Sequence, residues 1–294
     1  MSVNAAIQPS PNLAALERRY NATLARKRRR AMLALAAAIA VLGLSARGAD
    51  VDPVSFFDRI GNFSSYFDRI LTLDGGARVW TSLGDWFWGW RGWLFLLGQT
   101  ILISYVGTLT GAVLAFLLNG VAAQNTTPSR LAGFLVRRLF EFCRTVPDIV
   151  FALIFVIAFG LGPMAGVLAI AIHTTGALGK LFAEFVENID MKPVEGLRAT
   201  GASWPARMRF GVLPQVIAGY ASYTLLRFEI NVRGASVMGF VGAGGIGEEL
   251  IVAVRKFYYS DVSAILVLII LCVFVIDIAT GWIRGRMLGG KGFA

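Results

Sequence analysis

The chain has 294 residues, of which 56% are hydrophobic and 16% charged, with a mean hydropathy of +0.65; a soluble domain carries about 25% charged residues. This balance excludes a soluble globular domain and points to an integral membrane protein. The formal net charge of +10 raises the question of a polyanionic partner, and where the basic residues lie answers it.

Residues 1–30 form a basic N-terminal segment in which Arg18, Arg19 and Arg26 to Arg30 (with Lys27) face a single acid, Glu17. They lead directly into the apolar run 31–46, which reads as a first membrane helix entering from the cytoplasm. A cleaved signal peptide shares these features, but the long polar lead and the alanine-rich run favour an uncleaved anchor. A basic cluster against an apolar span is the ordinary topology signal, and no second feature supports nucleic acid. Segment 47–92 is polar and aromatic, with five arginines against six aspartates, which suits the external face. Trp86, Trp88, Trp90 and Trp93 precede the next span as an interfacial belt. The related pieces at 56–63 and 66–73 suit short amphipathic helices on the membrane surface.

From residue 93 to 283 the apolar runs predict five further spans, near 93–118, 142–159, 164–182, 216–232 and 262–282, giving an all-α bundle of about six helices. Gly98, Gly107 and Gly111 permit close contacts of the second. Gly160 to Pro163 reads as an outer turn, and 284–294 as a cytoplasmic tail. With both termini inside, 19 of the 28 Lys and Arg fall on the cytoplasmic side and 7 outside. That asymmetry satisfies the positive-inside rule and makes the basic charge a matter of orientation. Cys143 and Cys272 lie in different apolar runs, with neither a disulfide framework nor metal-ligand spacing, and read as packing residues.

The cytoplasmic loop 183–214 contains the one long polar interruption with internal order, PVEGLRATGASWPARMRFGVLP. Pro193 suits a first helical turn and Glu195 the positive end of its dipole. Gly201 suits a left-handed stop or a close contact, and Ser203 with Pro205 can open a second short helix. Leu213 and Pro214 mark the turn into the next apolar segment. Glu195, Gly201 and Leu213-Pro214 stand at the spacing of the EAA loop of ABC importer permeases, which the stretch resembles. Gly196 and Leu197 replace the usual alanines, and Gly211 a branched apolar residue. The blocks GLGPMAGVLAIAIHTTGALGKL, LPQV and RFEINVRGASVMGFVGAGGIG resemble the permease subunit of phosphonate transporters, over roughly 137–270.

The resemblance implies a type I importer permease of the MetI-like fold in the bacterial inner membrane, with Glu195, Gly196, Leu197, Arg198, Ala199, Gly201, Ala202, Leu213 and Pro214 as the ATPase-coupling loop. It implies a second copy of the chain, two cytoplasmic ATPases that use ATP and Mg, and an extracytoplasmic phosphonate-binding protein. The chain itself is expected to be non-catalytic and to bind no cofactor or metal. Gly179-Lys180 is no nucleotide loop, because Thr174 and Leu181 replace required residues. An ion-coupled secondary transporter or channel for a small anion is the alternative.

Other residues read two ways. Arg227, Glu229 and Arg233 lie on or beside the fifth span, where charges are costly. Glu229 and Arg233, at i and i+4, suit a structural ion pair, whereas an arginine meeting a passing phosphonate is the functional reading. His173 suits a hydrogen-bonded packing residue more than a relay. Gly242, Gly244, Gly245 and Gly247 match G-x-G-x-x-G in letters but lie between spans, outside the strand–helix context of a dinucleotide site. They suit non-helical backbone packed near a pathway, or a flexible outer loop.

Overall fold

The computed structural model describes residues 11–50 and 52–287. Residues 1–10 of the basic segment and 288–294 of the tail, Lys291 among them, lie outside the described residues. Contacts divide the chain into two units, Met1–Tyr66 and Phe67–Ala294.

In the first unit, α1 (Pro11–Gly48) carries the basic stretch and the alanine-rich run as one helix. Its part Arg19–Gly48 is long and apolar enough to cross a membrane, and Leu33, Ile39, Leu42 and Leu44 are exposed. Then α2 (Pro53–Asp58) starts at Asp52, whose carboxylate accepts from the Val54 N–H at 2.9 Å and the Ser55 hydroxyl at 2.7 Å. The helix α3 (Ile60–Ile70) runs on across the unit boundary.

The second unit is helical around a central pair. After the short α4 (Leu83–Trp86), α5 (Trp90–Ala122) packs along α8 (Pro163–Glu187). A Cβ on Gly107 would come within 2.7 Å of Ile170 Cγ2, and one on Gly111 within 2.7 Å of the Ala171 carbonyl, so the two backbones meet where side chains are absent. Gly98 plays no such part, since nothing lies within 4 Å of it. Trp93 is buried, against the group that includes Ile246 and Ile265, and Trp86 donates its indole N–H to Ser263 at 2.9 Å. Half of the expected belt is therefore bundle core, while Trp88 and Trp90 remain exposed.

The stretch expected as a third span from about residue 142 is two helices, α6 (Arg130–Thr145) and α7 (Asp148–Phe159), bent by 86°. Val146, held extended at φ −75° and ψ 124° before Pro147, breaks the helix. A short α9 (Lys192–Ala199), α10 (Trp204–Arg207) and a π-helical turn at Met208–Val212 precede α11 (Leu213–Met238). Leu213-Pro214 therefore lies inside a continuing helix rather than at a turn. α12 (Ile246–Arg255) follows at a 48° bend, and α13 (Tyr259–Met287) completes the unit. Arg284 and Arg286 belong to that helix, beyond the expected boundary at residue 283. Among the described residues four helices are long and apolar enough to cross a membrane, or up to six with each bent pair as one span.

Candidate functional site

The expected coupling loop is a built element. Gln215 accepts the Asp190 N–H at 3.1 Å and donates to the carbonyls of Asp190 at 3.1 Å and Gly211 at 2.7 Å, clamping the entry of α9 to the start of α11. Asp190 in turn accepts the Lys192 N–H at 3.0 Å. Pro193 lies in the first turn of α9 with Glu195 beside it, and Glu195, Gly196, Arg198 and Ala199 are exposed. Val194 and Leu197 turn inward instead: a Cβ on Gly211 would stand 3.0 Å from Val194 Cγ2 and 3.2 Å from Leu197 Cδ1. Two of the three departures from the EAA pattern thus compensate, a larger residue at 197 filling the space that a branched residue at 211 would take.

The helix ends at Gly201 with φ +77°. The Ala202 N–H reaches the Leu197 carbonyl and the Gly201 N–H that of Arg198, both at 3.1 Å, the paired bonds of a Schellman stop. No atom lies within 4 Å of where a Cβ on Gly201 would be, so the position needs glycine for its backbone and not for a close contact. Beyond it, Trp204 donates its indole N–H to the Thr126 carbonyl at 2.7 Å. Pro214 is exposed and Leu213 partly buried beside a cleft of about 340 Å³ between α5 and this segment, walled by Phe116, Trp204, Met208 and Tyr220.

The charged residues of α11 separate into two groups. Glu229, only 5% exposed, pairs with Arg233 one turn on, and its other oxygen lies 3.8 Å from Arg284 Nη2 and 3.5 Å from the Thr280 hydroxyl. Arg284, expected in a tail, is therefore the second cation of a bridge between α11 and α13. Arg227 points elsewhere, within electrostatic reach of Asp148 and His173, with its Nε enclosed and unpartnered. His173 Nδ1 lies 3.1 Å from the Val146 carbonyl at the bend.

Next to these, Asn231 donates to the hydroxyls of Thr108 at 2.7 Å and Thr174 at 2.9 Å, and Ser104 donates to its carbonyl at 3.2 Å. This buried layer joins α5, α8 and α11 with its polar groups satisfied.

The glycine run is packed. Gly242, Gly244 and Gly245 have φ of 82°, 85° and 83°, backbone that side chains avoid. The Gly242 carbonyl accepts the Gly162 N–H at 2.9 Å, which brings the turn 160–163 against the run. The N–H groups of Gly245 and Ile246 reach Gln99 at 3.2 Å and Thr100 at 2.9 Å, and Glu248 accepts the Gly244 N–H at 3.0 Å. Gly247 belongs to the first turn of α12, correcting its expected place in the non-helical segment, and its Cα is crowded by Ser236 and Gly239. Trp204, Gln215, Asn231 and Asp148 were not singled out from sequence. Of these, Trp204, an indole in a polar loop, and Asn231, a polar residue in an apolar run, carried a visible signal.

Residues 107–289 match the model of the family described as binding-protein-dependent transport system inner membrane component. The chain belongs to this family. It is the membrane-embedded permease subunit of an ATP-driven importer. The permease is 41% identical to the phosphite transport system permease protein PtxC of Stutzerimonas stutzeri over 74% of its own length and 80% of the relative's. It is 34% identical to the phosphate-import permease protein PhnE of Mycolicibacterium smegmatis, over 83% of its own length and 44% of that protein's. Among solved structures, a chain of the inward-facing MetNI methionine ABC transporter superposes with a TM-score of 0.57 at 19% identity, covering 66% of the permease and 95% of that chain. That likeness concerns the fold, the MetI-like helical core.

Proposed function

We propose that this permease carries a phosphonate or a related phosphorus oxyanion through a route formed with a second copy of itself. The observation that carries the coupling reading is the segment 192–212, its two ends clamped together by Gln215 and its middle tied down by Trp204, while Glu195 and Arg198 stay exposed. A rigid element strung between α8 and α11 transmits displacement to both helices, so closure of two ATPases beneath it moves the bundle by alternating access. An extracytoplasmic binding protein delivers cargo, and ATP and Mg stay with the ATPases. The charge count supports cytoplasmic termini and a cytoplasmic coupling segment. The names of the relatives, phosphite and phosphate permeases, support the cargo class.

The test is uptake in proteoliposomes holding the permease, its ATPase and its binding protein, with radiolabelled phosphite, methylphosphonate and phosphate. Uptake that requires ATP and is competed by phosphorus oxyanions is expected. Uptake driven by an ion gradient without ATP would overturn the mechanism, and no competition by any phosphorus oxyanion would overturn the cargo class.

A further inference from the structure

One guanidinium of the bundle is left without a partner. Among the described residues Arg227 makes neither a hydrogen bond nor an ion pair. Its side chain is partly buried, and of its nitrogens only Nε is enclosed and unpartnered, so the two terminal nitrogens keep an open side. At about 100° per residue, Arg227, Asn231 and Gly234 fall within about 60° of one another on one side of α11, and Glu229 with Arg233 on the opposite side. The acid on its own helix is thus turned away and already bridged to Arg233.

Asp148 and His173 are the ionisable groups within electrostatic reach, and both are held at the break between α6 and α7. Asp148 Oδ1 accepts the Ile149 N–H at 2.9 Å, and its Oδ2 faces Gly234, where a Cβ would stand 3.4 Å away. This carboxylate lowers the cost of a cation in the bundle without occupying the cation's donors. His173 Nδ1 lies 3.1 Å from the Val146 carbonyl. A carbonyl only accepts, so Nδ1 carries the proton, and Nε2, with no partner among the described residues, is left as an acceptor.

A phosphorus oxyanion supplies what these groups lack. Its paired oxygens match the fork of a guanidinium, and its P–OH, when singly protonated, is a donor for the imidazole nitrogen. We propose that Arg227 is a cargo contact of the route, with His173 Nε2 as the acceptor beside it, an assignment that rests on the phosphorus-oxyanion reading of the function. Asp148 repels the same anion and keeps the hold weak, as a site that must release its cargo requires. Since α11 begins where the coupling segment ends, movement of that segment shifts Arg227 against α7 and α8.

The test is the ratio of methylphosphonate taken up to ATP hydrolysed, in proteoliposomes holding the permease, its ATPase and its binding protein. A residue that only supports the fold lowers both quantities together, whereas a cargo contact moves their ratio. R227M is expected to lower the ratio at least about tenfold and R227K less, while D148N, which removes the repulsion, should not reduce it. An unchanged ratio in R227M would overturn the assignment, as would a loss that D148N reproduces or restores, the sign of a structural Arg227–Asp148 pair. Stability lost in anionic lipid at an unchanged ratio would likewise overturn it and give the guanidinium to a lipid phosphate. Should R227M not fold, R227K decides: a lowered ratio at an unchanged unfolding temperature supports the assignment, and an unchanged ratio overturns it. An unsubstituted transporter that takes up no phosphorus oxyanion would sink the cargo reading and this assignment together, whereas normal uptake with R227M indifferent sinks the assignment alone.

Discussion

The indole of Trp204 is fastened to the Thr126 carbonyl, 78 residues away in sequence, by a 2.7 Å hydrogen bond. The far half of the coupling segment is thereby tied to the connection between α5 and α6. Trp204→Phe keeps the ring and loses the bond, so stability should fall by about 1 kcal/mol. Substrate-stimulated ATP hydrolysis should fall several-fold at unchanged membrane yield. Thermal unfolding in detergent and hydrolysis in liposomes measure the two, and full stimulation would show that the tie plays no part in coupling.

At Gly201 the demand is conformational. Gly201→Ala should cost about 1–2 kcal/mol, because the space is open but the left-handed backbone is strained for a Cβ. Gly201→Asn should cost less, since asparagine tolerates that region. Gly201→Asp has nearly the same shape as Gly201→Asn, so the difference between them isolates charge at the docking surface. Co-purification of the ATPase should rank Gly above Asn and Asn above Asp, with membrane insertion intact throughout. Equal behaviour of Asn and Asp would remove charge from the account.

Glu229 has two cations, so losing one should be tolerated. Arg233→Leu alone leaves Arg284 at 3.8 Å. Arg233→Leu with Arg284→Leu leaves a buried carboxylate with Thr280 alone and should cost about 3–5 kcal/mol, more than the two single changes together. Adding Glu229→Leu should restore much of the loss. Monodisperse yield and unfolding temperature follow the series, and simple additivity would contradict the bridge.

Single cysteines at Ser64 and Ser203, both exposed, in a chain without Cys143 and Cys272, test orientation in intact cells. An impermeant thiol reagent should label Ser64→Cys at once and Ser203→Cys only after lysis. The reverse pattern would invert the topology.

What was legible in the sequence is what acts locally. Pro193, Gly201 and Pro205 shape the backbone within a turn of themselves, so the helix, stop and helix could be read from spacing. The i, i+4 pair of Glu229 and Arg233 was readable for the same reason. Arg284 was not, because its link to Glu229 depends on how α13 lies against α11. The bend at Val146 did carry a local signal, Pro147 flanked by Arg144, Thr145 and Asp148, and a span begun at residue 142 runs straight through it. Asn231 is polar in an apolar run, yet its partners Thr108 and Thr174 lie on two other helices, and periodicity carries no information about them. The two readings of the glycine run differed only in what packs on it, here the turn at Gly162.

The widened turn from Met208 to Val212 uses five residues where an α-helical turn takes about four. Its spare residue separates length from phase. One residue can be lost between Trp204 and Leu213, the turn tightening to an ordinary helix, while Trp204 keeps its heading toward Thr126 and α11 keeps Asn231 between Thr108 and Thr174. Elsewhere in α11 the same deletion would rotate everything beyond it by about 100°. This turn is where the permease can change length without misaligning the parts that must move together.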